Sequence, residues 1–223
     1  MVVATNLAEI NKRIENACEK SNRGSDEITL IAVTKYVTIE RNKEMLAAGI
    51  KHFGENRNEG FLEKYESIGN EVNWHFIGTL QSRKVREIID KVDMLHSLDR
   101  MSLAKEINKR VNSPIDCFLQ VNVSKEETKH GLRVEEVPAF IEEVAKYDKI
   151  KIVGLMTMAP HVEDEEEIRK VFRSLAELRY AMKEKNYEHA PCEYLSMGMS
   201  HDYEIAVEEG ATHIRIGSDL VKE

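Results

Sequence analysis

Cysteine is scarce and unpaired in this sequence. Cys18, Cys117 and Cys192 are odd in number and form no CxxC spacing, which argues against a disulfide framework and for a reducing cytoplasm. No apolar run approaches the length of a membrane span. The opening residues, MVVATNLAEINKRIENACEK, lack the basic-then-apolar form of a secretory signal and read as an amphipathic helix. Positive charge is in deficit, 32 Lys and Arg against 40 Asp and Glu for a net −8, which argues against nucleic acid as a partner. Eight histidines without ligand spacing predict no metal site. No linker, low-complexity segment or internal repeat divides the 223 residues, so 1–223 is expected to be one domain. The densest acidic run, EDEEE at 163–167, falls where a helix should begin. Carboxylates favour that end of the helix dipole, and this reading is preferred over metal binding.

What the sequence does have is alternation. An opening helix covers about 5–21. Strand patterns then stand at 28–33, 52–56, 73–78, 93–98, 115–123, 151–158, 192–198 and 212–217. Helical patterns lie between them at 40–49, 58–68, 83–90, 99–111, 134–147, 163–185 and 200–210, with Asp99 as an expected N-cap. Several strands are apolar on both faces, as in a parallel sheet covered by helices. Strict βα alternation over eight units predicts an α/β fold, a single closed (β/α)8 barrel of TIM type with an extra N-terminal helix. A doubly wound open sheet is the alternative, weakened because no GxGxxG follows a strand.

In such a barrel the chemistry sits at the C-terminal ends of the strands. Lys35 ends the first strand, Glu55 and Asn56 end the second, His75 and Gly78 belong to the third, Ser97 and Asp99 follow the fourth. Ser196, Gly198 and Ser200 follow the seventh, and Arg215, Gly217 and Ser218 the eighth. Lys35 shares parity with Ile31 and Val33, so it should face the barrel side. Partial burial there would favour a neutral amine able to attack a carbonyl; the alternative is a lysine that bends its head to water. The glycine loop SMGMSHDYE, with Ser200 as expected N-cap, and the turn RIGSD lie where barrels often bind phosphate. Asp202 would repel an anion unless it points away. A lysine facing a phosphate cup suits pyridoxal 5′-phosphate, which carries an aldehyde and a phosphate. It equally suits a sugar phosphate held by a Schiff-base aldolase.

The stretches IAVTKYV, HFGENR, WHFIGTLQSRK, HSLDR, QVNVSKEETKHGL, GLMTMAP and YLSMGMSHDYEIAVEEGATHIRIG resemble, in the same order, the pyridoxal phosphate homeostasis protein family. That family is similar to the N-terminal barrel domain of alanine racemase. The resemblance implies that Lys35 holds pyridoxal 5′-phosphate as a Schiff base, that Ser200, Gly217 and Ser218 form the phosphate cup, and that Arg215 lies near the pyridine nitrogen. Asn56 and Met197 would lie near the ring. His75 is read both as a cofactor neighbour and as a structural histidine, while His52, His96 and His213 are read as packed. The implied role is intracellular vitamin B6 homeostasis without substantial turnover, PLP-requiring apo-enzymes being the expected recipients and a monomer the expected state, with a weak dimer as the alternative. A racemase-like amino-acid enzyme is the competing reading. It would need a second base opposite Lys35, which alanine racemases take from a further domain, and the chain is expected to end with the barrel. Tyr36, Tyr194 and Tyr203 are the tyrosines near the rim. Two positions depart from the family pattern: Arg83 replaces an asparagine, and the ending SDLVKE is expected to leave the last turn loose.

Overall fold

Eight parallel strands close into a barrel in the order β1 to β8, with β1 pairing β8 through Thr29↔His213 to Ala32↔Ile216. The computed structural model describes residues 2–126 and 130–222; residues 127–129, within the QVNVSKEETKHGL stretch, lie outside the described residues. The strands are β1 Thr29–Val33, β2 His52–Glu55, β3 Asn73–Phe76, β4 Met94–Leu98, β5 Ile115–Gln120, β6 Ile150–Met156, β7 Tyr194–Met199 and β8 His213–Ile216. The helices are α1 Val2–Lys20, α2 Ile39–Ala47, α3 Asn58–Ile68, α4 Val85–Ile88, α5 Met101–Arg110, α6 Val137–Val144, α7 Glu165–Lys183, α8 Tyr203–Glu208 and α9 Ser218–Val221. Among the described residues no helix is long and apolar enough to cross a membrane.

Local chemistry sets the helix starts. The acidic run does what its position implied: Asp164 caps α7, its Oδ1 accepting from the amides of Glu166 (3.0 Å) and Glu167 (3.3 Å), with Glu165, Glu166 and Glu167 in the first turn. Two expected caps are not met. Arg100, not Asp99, precedes α5, because Asp99 is paired with the Arg100 guanidinium at 2.6 Å. Asp202, not Ser200, precedes α8, because residues 199–202 first form a closed turn. The expected helix 83–90 is a four-residue α4 between two 3-10 turns, Ser82–Lys84 and Ile89–Lys91.

The main core fills the layer between strands and helices. Phe53 and Phe61 meet the Trp74 ring edge-on, at centroid distances of 5.8 and 5.3 Å, and Trp74 Nε1 donates to Gly69 O. Strand period assigns the other face: with Phe53 and Glu55 turned outward, His52 and Gly54 face the barrel axis. Gly154 shows how tightly the wall closes, since a Cβ there would fall 2.1 Å from the Tyr194 carbonyl. The ending SDLVKE forms a docked turn, in contrast to the loose one expected. Leu220 is buried, and Asn6 Nδ2 in α1 donates to the carbonyls of Leu220 (3.2 Å) and Lys222 (2.8 Å). The extra N-terminal helix thus fastens the segment that follows β8.

Candidate functional site

A cavity of about 430 Å³ opens at the C-terminal end of the barrel, and Lys35, Ser200, Arg215, Gly217 and Ser218 all line it. Its volume falls within the roughly 300–1,000 Å³ range of small-molecule sites. Val33, Val37, Met199 and Val221 supply apolar wall, and among the described residues no carboxylate contributes to the lining. A larger depression, about 750 Å³ beside Gly131, carries charge of both signs, with Lys125 and Arg133 among Glu126, Glu135 and Glu136, and none of the nominated site residues line it.

Lys35 reaches the cavity differently from the expectation. β1 ends at Val33, and Lys35 sits in a turn closed by the Val37 amide donating to Thr34 O at 2.9 Å. The residue is exposed rather than partly buried, with Nζ 5.3 Å from the centroid of the Tyr36 ring. Strand parity does not account for this placement, because β1 stops two residues earlier and Tyr36, of opposite parity, lines the same cavity. On the opposite wall the loops after β7 and β8 are clipped together: the Gly217 amide donates to Ser200 Oγ at 3.4 Å. Gly198 allows the tight turn that precedes this clip. Its φ is +94°, and a Cβ there would approach Ala206 Cβ to 2.6 Å. Asp202 turns back into its own loop, its Oδ1 accepting from the Met199 amide at 2.6 Å, and burial raises its carboxyl above the ordinary range.

Arg215 forms the cavity floor. Nη1 donates to Ser196 Oγ at 2.6 Å and Nη2 to Thr157 O at 3.0 Å, and burial pushes its pKa down to about 10. Beneath it a column of imidazoles runs along the barrel interior. His96 Nδ1 lies 2.8 Å from Ser196 Oγ, His96 Nε2 2.9 Å from His75 Nδ1, and His75 Nε2 2.9 Å from His52 Nδ1. Because Arg215 can only donate to Ser196, the tautomers that use every group run one way: Ser196 O–H to His96, His96 to His75, His75 to His52. Desolvation holds His75 and His96 well below the usual imidazole pKa and pushes His213 down to about 3.

The sequence-nominated residues therefore divide. Lys35, Ser200, Arg215, Gly217 and Ser218 come together. His75 lies in the column and does not line the cavity. Met197 is buried in the outer core. Asn56 follows β2 with its Oδ1 buried and without a hydrogen-bond partner. Glu55, grouped with the rim by sequence, faces outward against α3. Arg83 is exposed and donates to Gln81 Oε1, away from the cavity. Tyr36, named near the rim by sequence, lines the cavity, and Val37, His201 and Val221 line it unforeseen.

The residues present fit a phosphorylated aldehyde. One amine, two serine hydroxyls, a buried guanidinium and a glycine close to the β1 wall surround an apolar-sided space with no competing carboxylate among the described residues.

Fold and site together define the class: this is a barrel of the alanine racemase N-terminal domain type, and the family model described as alanine racemase, N-terminal domain, matches residues 5–223. Alanine racemase of Corynebacterium glutamicum shares the fold, with a TM-score of 0.71 at 15% identity over 98% of this chain and 59% of that one. PipY of Synechococcus elongatus PCC7942, solved with PLP bound, superposes with a TM-score of 0.84 at 29% identity, covering 98% of this chain and 99% of its own. The pyridoxal phosphate homeostasis protein of Aquifex aeolicus is 42% identical over 221 residues, spanning 97% of this chain and 96% of that protein. The Escherichia coli K12 protein of the same description is 33% identical over 226 residues, spanning 98% and 95%. The chain belongs to the pyridoxal phosphate homeostasis protein family.

Proposed function

We propose that this protein binds pyridoxal 5′-phosphate as a Schiff base on Lys35 and acts in intracellular vitamin B6 homeostasis, holding the cofactor for PLP-requiring apo-enzymes without substantial turnover. One observation carries the reading: Lys35 shares a cavity with Ser200, Gly217 and Ser218. Ser200, Ser218 and the Gly217 backbone would receive the phosphate, and Arg215 would lie under the ring. When bound, the group supplies an aldehyde and an electron-withdrawing ring. The chain's own part is to present an amine, neutralise the phosphate and screen the ring with Val33, Val37 and Val221.

The placement of the tyrosines supports low turnover. Tyr36 stands beside Lys35 rather than across from it. Tyr203 packs under the Arg13 guanidinium of α1, 5.0 Å from its ring centroid, and Tyr194 lies 5.2 Å from the His213 ring at the start of β7. His201, which lines the cavity, is the residue on which a racemase-like reading would rest. A cofactor-free Schiff-base aldolase is the distant alternative.

The test is spectroscopic. Protein incubated with pyridoxal 5′-phosphate should show an absorbance band that borohydride removes, leaving a phosphopyridoxyl adduct on the peptide containing Lys35. Colourless protein would overturn the reading. Exchange of the alanine α-proton well above the rate given by free cofactor would favour the enzyme.

A further inference from the structure

Among the described ion pairs, Lys64–Glu55 is the one whose side chains are both buried, at 6% and 1% exposure. Such a pair is costly to desolvate and often adds no net stability. Its location suggests what it does. Lys64 Nζ reaches from α3 past Glu55 Oε1 and donates to the Thr34 carbonyl at 2.6 Å. Glu55 Oε1 also accepts from Thr34 Oγ1 at 2.7 Å, and the Thr34 amide donates to Gly54 O at 3.0 Å. Every polar group of Thr34 is thus engaged, and Thr34 O is half of the peptide that leads into Lys35. Gly60, one turn before Lys64, leaves room for the carboxylate, since a Cβ there would stand 3.3 Å from Glu55 Oε2.

We propose that Lys64 and Glu55 are positioning residues for Lys35. Their buried pair, acting through Thr34, fixes the Thr34–Lys35 peptide so that the Lys35 amine meets an aldehyde whose phosphate occupies the Ser200–Gly217–Ser218 cup. This rests on the binding mode proposed above. In that attachment the Lys35 nitrogen bonds to the aldehyde carbon and the carbonyl oxygen leaves as water, so neither oxidant nor reductant is needed. A displacement of about 1 Å at a reacting group can cost up to roughly 100-fold in rate, and among the described residues the Lys64 bond is what ties the Lys35 turn to α3.

Two probes separate positioning from general structure: pyridoxal 5′-phosphate, and pyridoxine 5′-phosphate, which has the same ring and phosphate but an alcohol in place of the aldehyde. Lys64→Met alone leaves Glu55 buried and unpaired, so the Glu55→Gln/Lys64→Met double variant, which removes both charges, is the main test. The expected result is a rate of borohydride-trapped adduct at Lys35 reduced by roughly 10-fold or more, with the affinity for pyridoxine 5′-phosphate within about 2-fold of wild type. A double variant that forms the adduct at the wild-type rate overturns the inference. So does one that loses both probes equally, which would make the pair's role structural. Wild-type protein that forms no adduct at Lys35 overturns the binding mode itself, and the inference with it.

Discussion

Two buried polar networks flank the cavity, and they meet the same problem in opposite ways. Inside the barrel, His52, His75, His96 and Ser196 form a hydrogen-bonded column ending at Arg215, and burial keeps its imidazoles neutral. Outside the wall, Glu55 and Lys64 form a buried ion pair and grip Thr34. The interior column orients one cation without adding others, so Arg215 is the fixed positive charge beneath the cavity. The exterior pair brings its own counter-charge and so contributes geometry rather than field to Lys35. Neutral groups can be chained where each donor finds an acceptor; opposite charges can be buried only as a matched pair.

The comparison can be broken at either network. The largest expected effect lies at the amine itself: Lys35→Ala should abolish the borohydride-fixed phosphopyridoxyl adduct on the peptide spanning residue 35 while retaining weak binding of pyridoxal 5′-phosphate, measured by equilibrium dialysis. Glu55→Ala should come next. It leaves Lys64 buried and unpaired and should cost about 3–5 kcal/mol in urea-induced unfolding, whereas the Glu55→Gln/Lys64→Met pair should lie much closer to wild type. An equal loss in both variants would refute the charge-matching interpretation.

The column should respond to acid instead. The folded state holds His75, His96 and His213 neutral, with His213 at about 3 and the others well below the usual value. Below about pH 6.5 the unfolded chain therefore binds more protons than the folded one, and stability falls as pH is lowered through the window between that value and the folded pKa. Each fully shifted group contributes about 1.4 kcal/mol per pH unit there. His96→Leu should flatten this slope and, by stranding Ser196 and His75, cost about 1–3 kcal/mol at neutral pH. A slope unchanged by that substitution would place the acid sensitivity elsewhere. The smallest effect belongs to Arg83→Asn. Its exposed side chain bonds Gln81 and does not line the cavity, so unfolding free energy should stay within about 0.5 kcal/mol and the pyridoxal 5′-phosphate titration should be unaltered.

Much of this architecture was legible in the sequence because local pattern and global fold agree. Each βα unit shows its change of period, and Lys35 falls just past the C-terminal end of the first strand, where a barrel places its chemistry. The turns with Ser200, Gly217 and Ser218 fall where the barrel topology puts them. Other features are tertiary. Lys64 occupies the buried stripe of α3 with Asn58, Phe61 and Ile68, a spacing visible in sequence, but a lysine there reads as solvated until Glu55 is seen to turn outward. The imidazole column needs three strands side by side in register, which no single strand reveals. The late start of α8 depends on Asp202 capturing the Met199 amide, a contact that competes with Ser200 for the role of cap.

A crystal structure of the protein soaked with pyridoxal 5′-phosphate puts the shared cavity to the most direct trial. The phosphate should lie against Ser200, Gly217 and Ser218, with continuous density from the ring to Lys35 Nζ. A phosphate bound elsewhere, or a covalent link to a different lysine, would contradict it.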